Sequence, residues 1–210
     1  MNRKNIMVAI LLLSIFVLFS GCASPVKPTN TNATSSNTNA SIDDTVTGSK
    51  TVEIQYIRDE SGGISSEGKR APLFVGDVVD YWYQSFISYD ISAIPAGSTI
   101  VETKLDFSNY ERTNDPFSTL GCLNIYQQDF GSVDPKDFFL GEQTGPLTKW
   151  CSEIDLKSSP LKSDKFAKAL QSKVGQNRFQ VRLQFDKNID NNKQSDFIDV
   201  TYSKLLVTYK

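Results

Sequence analysis

Phe179-Gln180-Val181-Arg182-Leu183-Gln184-Phe185 alternates apolar and polar side chains, and Val101-Glu102-Thr103-Lys104-Leu105-Asp106-Phe107 repeats the pattern. A strand sends successive side chains to opposite faces, so each stretch predicts a half-buried antiparallel strand. Phe179, Val181, Leu183 and Phe185 should face a core, with Gln180, Arg182 and Gln184 toward solvent. Val101, Thr103, Leu105 and Phe107 should do likewise, leaving Glu102, Lys104 and Asp106 outside.

Outward from these two, further strands are expected at residues 52–57, 73–75, 81–91, 122–126, 198–202 and 205–209, separated by Gly, Pro, Asn and Ser clusters. Many short strands with such punctuation predict an all-β fold, a two-sheet antiparallel sandwich of jelly-roll type. One segment departs from period two. Ser163 as an N-cap, Asp164 in the first turn, Phe166, Leu170 and Val174 four apart, and Gly175 at the end predict one short α-helix covering an edge or end of the sandwich. Phe166, Leu170 and Val174 should face the core.

This domain is expected to span 51–210, close to the size of one ordinary domain. The residues before it read differently. Asn2-Arg3-Lys4, an apolar run from 6 to 19 and Ser20-Gly21-Cys22 form the three regions of a secretory signal, and the apolar run falls short of the roughly 20 residues that span a bilayer. Leu18-Phe19-Ser20-Gly21-Cys22 resembles the lipobox of prokaryotic lipoproteins, although Phe19 stands where Leu is commonest. That resemblance implies removal of a signal peptide at 1–21 and lipidation of Cys22, with two acyl chains to hold the protein to a membrane. The segment 22–50 is rich in Ser, Thr, Asn, Ala and Pro and too poor in large apolar residues to offset its ordering entropy, so it reads as a disordered tether.

Composition narrows the chemistry. The 210 residues contain no histidine, which removes His-dependent triads, imidazole proton shuttles and His-bearing zinc sites. The formal charge is −2, and without Arg3 and Lys4 the remaining 20 basic and 24 acidic residues give −4. No basic field is available for a nucleic acid, so no nucleic-acid partner is expected. No phosphate-cradling glycine motif appears, and the carboxylates are scattered as on a solvated surface, so the reading is of a non-enzyme. Cys122 and Cys151 are the two thiols left beyond Cys22, and in an exported chain they are expected to pair as a disulfide.

Two groups could carry a ligand. Tyr81-Trp82-Tyr83, preceded by Asp80 with Asp77 a little earlier, offers flat rings for sugar C–H faces and carboxylates for hydroxyls. Period two puts Tyr81 and Tyr83 with Ile87, Tyr89 and Ile91 on the core side, leaving Trp82 as the exposed ring; packing alone would also account for the trio. Asp186, Asn188, Asp190, Asn192 and Asp196 space oxygen donors two apart between two strands. They read either as a polar hairpin loop or as a structural calcium site, without the glycine and the final glutamate of an EF-hand loop.

The run from Phe86-Ile87-Ser88-Tyr89-Asp90 through Ile94-Pro95-Ala96-Gly97 to Leu105 resembles the core signature of DNRLRE domains, β-sandwich modules of secreted prokaryotic proteins. Gly76-Asp77 and the closing Lys204-Leu205-Leu206-Val207-Thr208-Tyr209 are similar to flanking parts of the same family. The name-giving hexapeptide is absent, and the middle of the domain has no counterpart. Some members are carbohydrate-binding modules of family 96, so the resemblance implies a sandwich that binds polysaccharide. Together these readings predict a lipid-anchored protein at the outer face of the cell membrane or in the envelope. It would display a non-catalytic sandwich that binds or organises surface glycan. The alternatives are a structural or protein-interaction module with no sugar site, and, third, a polysaccharide-active enzyme.

Overall fold

The computed structural model describes residues 48–79, 81–139, 141, 145–158 and 163–210. The signal peptide, Cys22, nearly all of the expected tether and Asp80 lie outside the described residues. Among those described, twelve strands form two antiparallel sheets with a few short helices, an all-β sandwich.

The smaller sheet has three strands in the order β1 (Lys50–Gln55), β12 (Lys204–Tyr209), β6 (Ile100–Asp106). The larger runs β7 (Glu111–Thr113), β11 (Asp196–Asp199), β4 (Phe74–Val78), β5 (Tyr81–Asp90), β10 (Arg178–Phe185), β8 (Leu123–Gln127), β9 (Thr148–Trp150), and β2 (Gly62–Ser65) joins it between β5 and the short β3 (Arg70–Ala71). The ten-residue β5 is its spine. β10 pairs along Ser85–Asp90, while β4 pairs with Tyr81–Tyr83 and β2 with Tyr83–Phe86. Every strand predicted from alternation is present. β2, β3, β7 and β9 were not foreseen: β3, β7 and β9 have two or three residues, too few to show a period, and β2 opens on Gly62 and Gly63, which weaken any strand signal.

Ile54, Leu105, Leu205 and Val207 from the small sheet meet Val75, Ile87, Tyr89, Phe179, Val181, Leu183 and Ile125 from the large one in a single buried cluster. The predicted helix is α3 (Asp164–Gln171), with the Ser163 hydroxyl accepting the Phe166 N–H at 3.3 Å; α1 (Pro116–Thr119) and α2 (Glu153–Ser158) are two further short helices. Phe166 and Leu170 are buried and Val174 is partly so, packed on the same core. The Gln171 side chain accepts the Ile100 N–H at 2.7 Å and donates to the Ser98 carbonyl at 3.0 Å, so α3 satisfies backbone groups at the outer edge of β6. Cys122 and Cys151 lie at disulfide distance, with S–S 2.00 Å, just beyond the register pair Leu123 and Trp150 that joins β8 to β9.

The outer face of β10 departs from its expectation. Gln180 and Arg182 do not face solvent: they are 3% and 0% exposed. A third layer covers the outer face of β5 and β10, formed by the segment after β8 that includes the short 3-10 turn Pro135–Asp137. Phe130, Val133 and Phe138 pack there with Ile64 and Phe86 in a second apolar cluster. The polar side chains on this face bond the covering backbone. Gln180 accepts the Phe130 and Gly131 N–H groups at 2.8 and 2.9 Å, and Gln84 exchanges bonds of 2.7 and 2.9 Å with the Phe139 carbonyl and N–H. Alternation reports which residues share a face, but not whether a loop will cover it. Val101 departs in the other direction, 54% exposed at an end of the small sheet.

Candidate functional site

Three turns converge at the end of the small sheet where β1 and β6 finish and β12 begins. After β1 the chain makes a turn at Ile57–Glu60, in which the Glu60 N–H bonds the Ile57 carbonyl at 3.2 Å. After β6, Asp106 accepts the Ser108 N–H at 2.9 Å, and the Tyr110 N–H bonds the Phe107 carbonyl at 3.0 Å, which projects Asn109 outward. Between β11 and β12, Asp199 accepts both the backbone N–H and the hydroxyl of Thr201, and the Ser203 N–H closes on the Val200 carbonyl at 3.0 Å. Asx-type bonds of this kind preset tight turns and leave the intervening side chain free to point away.

The side chains so presented line a groove of about 270 Å³: Gln55, Tyr56, Arg58, Asn109, Tyr202 and Lys204, with Thr201 at its wall. Tyr202 is 60% exposed, while Tyr56 is half-buried, bridged to Tyr89 of β5 and packed on the core. Lys204 is held by Glu53 at 2.9 Å, and Glu53 also accepts the Gln55 amide at 2.9 Å. The groove thus combines an exposed ring, an anchored ring, two amides, a hydroxyl and two cations, the mixture by which proteins stack on and hydrogen-bond a polyhydroxylated ligand. Behind it, Arg178 donates to both oxygens of Glu60 at 2.9 and 3.1 Å, and the Ser88 hydroxyl donates to the same carboxylate at 2.6 Å. Burial pushes the Glu60 carboxyl upward, but the bonds from Arg178 and Ser88 outweigh it and hold the group below the usual carboxylate range.

The aromatic trio is arranged differently from its expectation. Tyr81, expected in the core, is 40% exposed at the start of β5, with the Lys69 ammonium 5.3 Å from its ring centre. Tyr83 is half-buried, and Trp82, expected as the exposed ring, is also half-buried, its ring edge-on to Phe138 at 4.5 Å. The covering layer explains the reversal: Phe138 lies over the outer face where Trp82 emerges, while the core tapers out before Tyr81 is reached. Asp77 is buried, opposite Trp82 on one side and the buried Asp196 on the other, so neither carboxylate stands in a cleft.

The acidic loop divides in two. Asp186 turns back toward β8, accepting the Cys122 N–H at 2.9 Å and the Asn124 amide at 2.7 Å, and so leaves the others. Asn192 bonds Asp190 and Asp196, with the latter contact at 3.1 Å, and its side-chain oxygen accepts the Gln194 N–H at 2.6 Å; Asn188 accepts from Gln184 at 3.4 Å. These donors and acceptors are spent on one another, as in a polar hairpin loop. No group of three His, Cys, Asp or Glu side chains gathers at metal-binding distance among the described residues.

Reasoning from sequence missed Tyr56, Arg58, Asn109 and Tyr202, which belong to three separate turns. A Tyr just past a strand end was the available signal at positions 56 and 202, but their meeting is a property of the fold. Comparison with known proteins returned no matching family model, curated protein or solved structure.

Proposed function

We propose that this chain is a lipid-anchored envelope protein, exported by the signal at 1–21 and held through Cys22, whose sandwich is a non-catalytic module that binds surface polysaccharide. The observation that carries the reading is the groove at the turn end of the small sheet, where Tyr202 and Tyr56 flank Arg58, Asn109 and Gln55. Exposed tyrosine beside amide and guanidinium donors stacks on a sugar face while satisfying its hydroxyls. The likeness of residues 86–105 to DNRLRE domains supports the same function.

A glycan array read with and without calcium tests it. The expected result is retention of a polysaccharide ligand that Tyr202→Ala weakens about tenfold or more, in line with losing roughly 1–2 kcal/mol of stacking. Silence across the array, or an unchanged Tyr202→Ala, would overturn the site. The second reading, an interaction module without a sugar site, is favoured by Trp82, whose ring is spent on Phe138 rather than offered to a ligand.

A further inference from the structure

At the centre of the covered face, away from the groove, Arg182 is completely buried. Its guanidinium lies over the Tyr126 ring at 4.9 Å and the Phe139 ring at 4.6 Å. Nη1 donates to the side-chain oxygens of Gln84 at 3.2 Å and Gln184 at 2.9 Å. Nε and Nη2 are buried and have no hydrogen-bond partner, and no carboxylate pairs with Arg182 among the described residues. Burial lowers the pKa to about 10, which still leaves a full cation at neutral pH.

A desolvated charge without a counter-charge, and with three of its five N–H groups unsatisfied, is among the costliest arrangements a protein interior can hold. The unsatisfied groups are not scattered. Nε and Nη2 form one edge of the planar guanidinium, the fork whose near-parallel N–H bonds grip a carboxylate or halide. The two glutamine oxygens fix the opposite side, and the rings fix the plane, so the fork is held ready and screened from water.

We propose that Arg182 is the centre of a buried binding site for a small monovalent anion of the halide or carboxylate class. Charge matching and enclosure set that class: one cation, two aromatic rings, and a covering segment latched over it by the paired bonds between Gln84 and Phe139. A divalent oxoanion would leave excess negative charge in the same dry surroundings. The site is independent of polysaccharide binding at the groove.

Thermal melting of the full chain at constant ionic strength, with sodium gluconate replaced stepwise by chloride in one series and by formate in another, provides the test. A ligand that binds only the folded state raises the melting temperature along a saturating curve. The expected outcome is a rise of several degrees in the wild type, in whichever series matches the site, and loss of that rise in Arg182→Met, which keeps the volume without the fork. An equal rise in Arg182→Met, or no rise in either series, would overturn the site. Should Arg182→Met not fold, crystals of the wild type grown in bromide decide it. An anomalous bromide peak, or formate density in crystals grown with formate instead, against Nε and Nη2 supports the proposal, and a water or nothing at that edge in both crystals refutes it.

Discussion

Two glycines separate local conformational demand from tertiary crowding. Gly97 has φ +88° in the turn after Pro95 with open space around it, whereas Gly76 has φ +128° and a Cβ there would collide with the Asp196 carbonyl and lie 2.8 Å from Phe197 Cα. Urea denaturation should therefore show Gly97→Ala costing about 1 kcal/mol and Gly76→Ala at least about 2 kcal/mol more, since only the second must displace β11. Glu60 supplies a titratable contribution. Its carboxyl is held low by Arg178 and Ser88 against the upward push of burial, so its stabilisation is complete above the ordinary glutamate pKa and is lost as pH falls through the lowered folded value. Glu60→Gln should be less stable than the wild type by about 1 kcal/mol at pH 7, with the gap closing below about pH 4. Chemical denaturation at several pH values checks both the sign and the window. Gly97 and its proline were legible in the sequence; the partners of Gly76 and Glu60 are 120 and 118 residues away in the chain, and no local pattern announces them.

Among elements, β9 is the most dependent on a covalent tie. It has three residues, ends its sheet, and is joined to β8 by three register pairs and by Cys122–Cys151, which closes a separation of 29 residues. Reduction should lower stability by roughly 3–4 kcal/mol on the chain-entropy estimate, and melting with and without a reductant measures it. A change under about 1 kcal/mol would mean that the sheet alone holds this edge. The helix α3 shows the opposite balance. Ser163, Asp164 and the four-residue spacing of Phe166 and Leu170 are local signals, and the helix forms where they predict it. The acidic loop carried an equally regular spacing, yet Asp186 bonds Cys122 and Asn124 rather than its neighbours in the series. Spacing along a loop does not fix convergence, because a loop lacks the repeating geometry that makes spacing meaningful in a helix or strand.

At the scale of the whole molecule, a small sheet, a large curled sheet and a covering segment form three layers with two apolar clusters between them. The second cluster turns the outer face of β5 and β10 into an interior, so Gln84, Gln180 and Arg182 become buried and hydrogen-bonded. Attachment of this domain to a membrane follows, in our proposal, from Cys22. Cell fractionation should find the wild type with membranes and Cys22→Ser released to the soluble fraction, since two acyl chains are what stable anchoring requires. Retention of Cys22→Ser on membranes would remove the lipid anchor from the proposal.

The amino-acid sequence by itself determined the all-β class, eight of the strands, the capped helix and the partnership of Cys122 with Cys151, because alternation, capping and thiol pairing are expressed over a few residues or by elimination. The tertiary structure alone decided which faces are covered, that Tyr81 rather than Trp82 is the more open ring, and that Tyr56, Arg58, Asn109 and Tyr202 share one groove. Those outcomes depend on long-range antiparallel pairing and on a loop that buries polar side chains by bonding them. Both are set by the summed packing of distant segments rather than by any local pattern.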